Sequence, residues 1–154
     1  MENEVKKNSI ALANTTSVST DLFGESKVRK VTSLDLNDDE QMDMFINSQQ
    51  EADYKLNDFA GKTIKFIGAT IAEYPSEETD EESGEVIVRK KHTLCLFDEE
   101  GKSYVTGSAS CYFSFANIVA FKGMPTVDKP LTLDIVKVPA ETKGHEYLKV
   151  KLSK

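Results

Sequence analysis

Hydrophobic and polar positions alternate most clearly between residues 60 and 110, AGKTIKFIGATIAEYPSEETDEESGEVIVRKKHTLCLFDEEGKSYVTGSAS. Two runs rich in β-branched and aromatic residues, 62–74 and 85–97, flank a stretch of acids, Ser and Gly, and predict two strands. A tight Asp98-Glu99-Glu100-Gly101 turn leads into a third run, 102–110. The next stretch, YFSFANIVAF at 112–121, stays apolar too long for an alternating strand and predicts a helix of about three turns. Gly123 and Pro125 end it. Two more strands, 131–138 and 145–152, are joined by Glu141-Thr142-Lys143-Gly144. Upstream, Asn37 followed by Glu40 has capping-box spacing, and Met42, Phe45, Ile46 and Gln49 share a helical face. A short amphipathic helix is therefore expected over 37–49.

Three strands, a helix and two strands is the order of the five-stranded OB barrel, with its helix between strands 3 and 4. The expected class is mainly β, and the short helix is expected to plug one end of the barrel. A chain of 154 residues suits one domain with an appendage. It divides into an extended N-terminal arm at 1–36, a short helix and connector at 37–58, and the barrel at 59–154. The arm is rich in Ser, Thr and Asn and cannot bury enough surface to fold alone. Its stretch VRKVTSLDL at 28–36 alternates well enough to pair with an open sheet edge. Docking on a neighbouring copy, head to tail, would build a homo-oligomer or filament; the alternative is that the arm folds back on its own barrel. No apolar run approaches a membrane span, and the N-terminus shows no secretory signal, so a cytoplasmic location is expected. Cys95 and Cys111 are then expected to be buried, reduced thiols.

Gly68 sits in the middle of the first strand, where a bulge lets one strand serve both halves of a barrel. Alternation across that kink puts Ile64, Phe66, Ala69 and Ile71 inside and Lys62, Lys65, Thr70 and Tyr74 outside. Leu94 and Leu96 read as core, with Arg89, Lys91 and Thr93 on the other face. Tyr104, Thr106 and Ser108 share a face of the third strand. In the last strand Tyr147, Lys149 and Lys151 alternate outward against Leu148, Val150 and Leu152. Outward Tyr beside Lys suits a single-stranded nucleic acid, whose bases stack on aromatic faces while ammonium groups follow the phosphates. The candidate contact residues are Lys65, Tyr74, Arg89, Lys91, Tyr104, Tyr147 and Lys149.

A formal net charge of −7 argues superficially against such a ligand, but the distribution matters more than the sum. Residues 60–154 carry 13 Lys and Arg against 14 Asp and Glu, and seven of those acids fall between Glu73 and Glu85. Apart from that acidic stretch the barrel is basic, and the stretch itself is expected to project away from the path of a bound strand. Signatures of catalysis are absent: no phosphate-cradling Gly-Lys-Ser/Thr loop, no paired-Cys zinc spacing and no His-Glu-x-x-His. His92 and His145 read as surface strand residues. Asp35, Asn37 and Asp39 open like a calcium loop, but Glu40 and Ile46 occupy positions that need Gly and Glu. No enzyme, metal or cofactor is expected.

The approach 47–53 to Leu56-x-Asp58, the Asp98 to Gly101 turn followed by Tyr104 and Ser108, and Gly123-x-Pro125-Thr126 after the helix recur together in one family. Across 45–154 the chain resembles the single-stranded-DNA-binding proteins of phages and conjugative plasmids from low-GC Gram-positive bacteria. The resemblance implies an OB fold that coats single-stranded DNA without strong sequence preference during replication or transfer, with Tyr74 and Tyr104 among the stacking rings. No acidic tail follows Lys154, so recruitment of partners through such a tail is not expected. Two alternatives stay open: a protein-interaction module acting as an acidic DNA mimic, and a binder of single-stranded RNA on the same barrel.

Overall fold

The computed structural model describes residues 15–19, 22–23, 27–141 and 144–154. The fold is mainly β, with eight strands in one sheet and two helices among the described residues. Strands β1 (Thr16–Val18) and β2 (Arg29–Thr32) precede helix α1 (Asp39–Gln50), the two-residue strand β3 (Tyr54–Lys55) and a 3-10 turn at Leu56–Phe59. Then come β4 (Thr63–Thr79), β5 (Val86–Asp98), β6 (Ser103–Thr106), α2 (Ala109–Lys122), β7 (Leu131–Pro139) and β8 (Glu146–Leu152). Every predicted element forms, and the largest extension is at β4 and β5. Their antiparallel ladder continues past Pro75 to Thr79 opposite Val86, so Glu77 and Glu78 lie on a strand rather than in a loop.

β4 organises the sheet. One edge pairs with β5 from Phe66 to Thr79; the other pairs with β7 from Thr63 to Phe66 and with β2 from Thr70 to Glu73. The changeover falls at the register shift between Phe66 and Gly68, the bulge anticipated from the glycine. Across it, Ser33 supplies what no strand does: its N–H donates to the Ala69 carbonyl at 2.9 Å, and its hydroxyl accepts from the Ala69 N–H at 3.0 Å. Leu34, next in the chain, lies directly over Gly68, where a Cβ would collide with its side chain. Gly68 is thus both a kink and a seat. Pro75 has no N–H to offer, which is why the β2 pairing on that edge stops at Glu73.

The described part of the arm therefore lies along its own sheet, because β4 has a vacant edge beside it. Residues 1–14 fall outside the described residues, so the expected docking on a neighbour by that portion does too.

Two apolar layers result. The main core gathers Leu56, Phe66, Ala69, Leu94, Leu96, Phe115, Leu133, Ile135 and Val150 on one face of the curved sheet. On the opposite face Cys95 and Phe97 are covered by Leu34 and by Phe45 of α1. Here α1 departs from expectation: it lies on the outside of the sheet and plugs no end. Its cap is Asp38, whose carboxylate accepts from the Gln41 N–H at 3.1 Å, one residue beyond the predicted Asn37 and Glu40 pair. The inward face is Gln41, Met44, Phe45 and Ser48, and the expected Met42 and Ile46 are exposed. Thr70, expected outward in solvent, is buried under the arm, its hydroxyl donating to Thr32 Oγ1 at 2.9 Å.

β6 and β8 exchange no ladder hydrogen bonds, so the sheet stays open between them. α2 fills the gap. Ser110 donates its hydroxyl to the Leu148 carbonyl at 2.9 Å, and Ser114 accepts from the Val150 N–H at 3.0 Å. Serines one helical turn apart thus match the two-residue repeat of a strand edge, satisfying groups that would otherwise template another strand. Ser108 caps this helix through the Cys111 N–H, and Gly123, at φ 78°, ends it.

The Leu34 seat yields a thermodynamic test. Gly68→Ala should destabilise the fold by about 1–3 kcal/mol through overpacking, and Leu34→Ala by about 2–5 kcal/mol through the cavity it leaves. The two are expected to be strongly non-additive in urea melts, the double variant being more stable than the sum of the single losses requires.

Candidate nucleic-acid interface

Beyond Glu73 the β4–β5 ladder leaves the body as a two-stranded ribbon, and its side chains divide by rung. On the outer face, Lys30, Ala72 and Thr93 form one rung, Tyr74 and Lys91 the next, Ser76 and Arg89 the third, and Glu78 and Ile87 the fourth. Small residues on the first and third rungs leave the half-buried Tyr74 ring standing between three cations. Glu78 meets Lys91 at 3.4 Å and Arg89 at 3.6 Å. All three side chains are about half exposed or more, so these pairs are weak and readily exchanged for a phosphate.

The inner face carries a different cluster. Glu73 holds His92 Nε2 at 3.1 Å, Lys90 Nζ at 3.7 Å and Arg29 at 3.9 Å, and the His92 ring stacks on Tyr112 of α2 at 3.9 Å with 4° between planes. The hydrogen bond with His92, aided by the Lys90, His92 and Arg29 charges, holds the Glu73 carboxyl below its usual range against some desolvation. Burial, with the Glu73 charge adding to it, raises the Tyr112 hydroxyl. His92 is thus on a strand, as expected, but as a tethered, partly buried ring rather than an open surface residue.

The seven candidate contacts separate into groups. Tyr74, Arg89 and Lys91 share the outer ribbon face. Tyr147 and Lys149 are together on β8, the Lys149 ammonium 6.0 Å from the Tyr147 ring centroid, beside the exposed Phe113 of α2. Lys65 stands apart, 3.5 Å from Glu99. Tyr104 is not on the surface. It pairs with Leu96 across the ladder, so it faces the core, where it is 5% exposed. Phe59, Tyr54 and Phe66 surround it with centroids 4.9, 5.1 and 5.6 Å away, and its hydroxyl donates to Asp98 at 2.8 Å. Burial first, then the Asp98 bond and charge, raise its pKa well above the ordinary phenol value. Lys30 was missed by sequence reasoning, because its place beside Tyr74 depends on β2 joining β4.

Cys95 and Cys111 are free and buried, their thiols pushed up to about 12 chiefly by desolvation. Among the described residues no group of three or more His, Cys, Asp or Glu is arranged to hold a metal, and no helix is long and apolar enough to cross a membrane.

Two variants probe these assignments. Tyr104→Phe is expected to lose about 1 kcal/mol of stability with its hydrogen bond to Asp98 and to leave nucleic-acid affinity unchanged. For Glu73, a depressed folded-state pKa contributes stability that is present above the ordinary value of 4.5 and lost as pH falls through the folded one. Thermal melts against pH should accordingly show a shallower acid limb in Glu73→Gln.

Compared with known proteins, the chain matches no family model, no curated protein and no solved structure.

Proposed function

We propose that the chain binds single-stranded DNA without strong sequence preference, along the outer face of the β4–β5 ribbon. The observation that carries this is the placement of Tyr74 in register with Lys91, between Lys30 and Arg89 on neighbouring rungs of the same face. A ring offers its surface to any base, and the three cations reach phosphates on either side. Strand order supports the reading. β4 pairs with both β5 and β7, β5 with β6 and β7 with β8, which suits a partly open OB barrel whose second strand and first hairpin lie on the ligand side. The resemblance over 45–154 points the same way and suggests a role in phage replication or plasmid transfer in the cytoplasm of a bacterial host. The acidic residues of the hairpin are concentrated at its far end, from Glu77 to Glu85, and Glu78 reaches back to Lys91 and Arg89 on this face through exposed ion pairs that a phosphate would displace. The chemistry is binding alone, with no catalytic step.

Fluorescence anisotropy with poly-dT tests this. Affinity should fall as salt rises, with a slope of about −0.7 per phosphate neutralised, and Lys91→Gln or Lys30→Gln should each make it shallower. Tyr74→Ala should cost roughly 1–3 kcal/mol if its ring stacks on a base. Equal affinity for duplex DNA, or no response to these variants, would remove the ribbon face from consideration; a preference for poly-U would reassign the ligand to RNA.

A further inference from the structure

Two apolar surfaces of opposite charge remain uncovered among the described residues. The first is the inner face of the ribbon's outer half, where alternate rungs carry Val88 opposite Glu77 and Val86 opposite Thr79. Val86 and Val88 are 60% and 62% exposed, unusual for two β-branched residues on one strand face. From Glu77 to Glu85 this end of the ribbon bears six carboxylates and no Lys or Arg. The second is a groove of about 630 Å³ between α2 and β8, lined by Phe113, Ile118, Tyr147 and Leu152 with Lys149 and Lys151, and by no acid. Phe113 is 64% exposed. Both surfaces are open in the single chain, so they do not cover one another within one copy.

We infer that the two surfaces meet between copies: the ribbon tip of one chain seats in the α2–β8 groove of the next. Val86 and Val88 pack against Phe113 and Leu152, while Glu77 and the acids of the tip face Lys149 and Lys151. The occupant is a second copy because the tip supplies both things the groove lacks, an apolar insert and negative charge, on one projecting element. β-branched side chains that need cover also favour a protein groove over a nucleic acid. The contact joins two different surfaces, so each copy keeps one free tip and one free groove and the assembly does not close. A ribbon tip is a small interface, which makes the association weak, concentration-dependent and screened by salt. It goes beyond DNA binding, and its failure is distinguishable from a failure of the proposed DNA binding.

Sedimentation velocity on the full chain is the test. Wild type should form a concentration-dependent series that shrinks as salt rises. Val88→Asp and Phe113→Ser change exposed residues, and each should be monomeric while keeping wild-type circular dichroism and poly-dT affinity. Mixed in equal amounts, they should form a dimer and nothing larger, since only one intact tip and one intact groove remain. A wild type that is monomeric throughout, or a mixture that stays monomeric or grows past dimer, overturns the inference. So does assembly lost in Val88→Asp alone, which means that ribbons pack on each other. Assembly retained by Phe113→Ser with poly-dT binding lost also overturns it, by assigning the groove to DNA.

Discussion

A strand 17 residues long must satisfy hydrogen-bonding groups on two edges, and no single neighbour of β4 is long enough to do so on both. The rest of the molecule follows from how that requirement is met. β5 takes one edge from Phe66 to Thr79; on the other, β7 covers Thr63 to Phe66 and β2 covers Thr70 to Glu73. At the point of exchange Ser33 stands in for a ladder partner and Leu34 occupies the hollow at Gly68. An unpaired buried amide there would cost about 1–3 kcal/mol, so the N-terminal segment belongs to the fold even though it could not form a core alone. The same joint sets Lys30 beside Ala72 and Tyr74 and so completes the proposed binding face.

The open seam between β6 and β8 answers the same need by other means. α2 presents Ser110 and Ser114 to the β8 edge, while β6 is covered on its free side by Tyr54 and Lys55. Asp53 reinforces that join, its carboxylate accepting from the Ser103 N–H at 2.9 Å. The two edges that face this seam are thereby blunted. Among the described residues, the ribbon beyond Glu73 has no further strand beside it, and both the proposed DNA face and the proposed self-association tip lie on it.

Much of this was legible in the residues, and the failures have physical reasons. The strands, the Gly68 bulge, the Asp98 to Gly101 turn and the Gly123 stop are local signals, written within a few residues of where they act. The seat of Leu34 on Gly68 joins positions far apart in sequence, and no local pattern announces it. Tyr104 was placed on the wrong face because β6 is four residues long and Tyr104 and Val105 suit either side, so alternation alone left its direction undecided. A signal did exist next door. Leu94, Cys95, Leu96 and Phe97 are apolar on both faces, which implies a cover on each, and α1 with Leu34 supplies the second one. Pro75 looked like the end of a strand, but it falls where that edge of β4 has no partner, so the ladder to β5 runs on.

The central claim is that single-stranded DNA lies across the outer rungs of the ribbon. Nitrogen-15 NMR titration with a dT oligomer tests it most directly, because amide shifts report contact residue by residue without altering any side chain. The predicted result is a continuous set of perturbations at Lys30, Ala72, Tyr74, Ser76, Arg89, Lys91 and Thr93, with the amides around Tyr104 unmoved. Perturbations confined to α2 and β8, or to the inner cluster of Glu73, His92 and Tyr112, would contradict it.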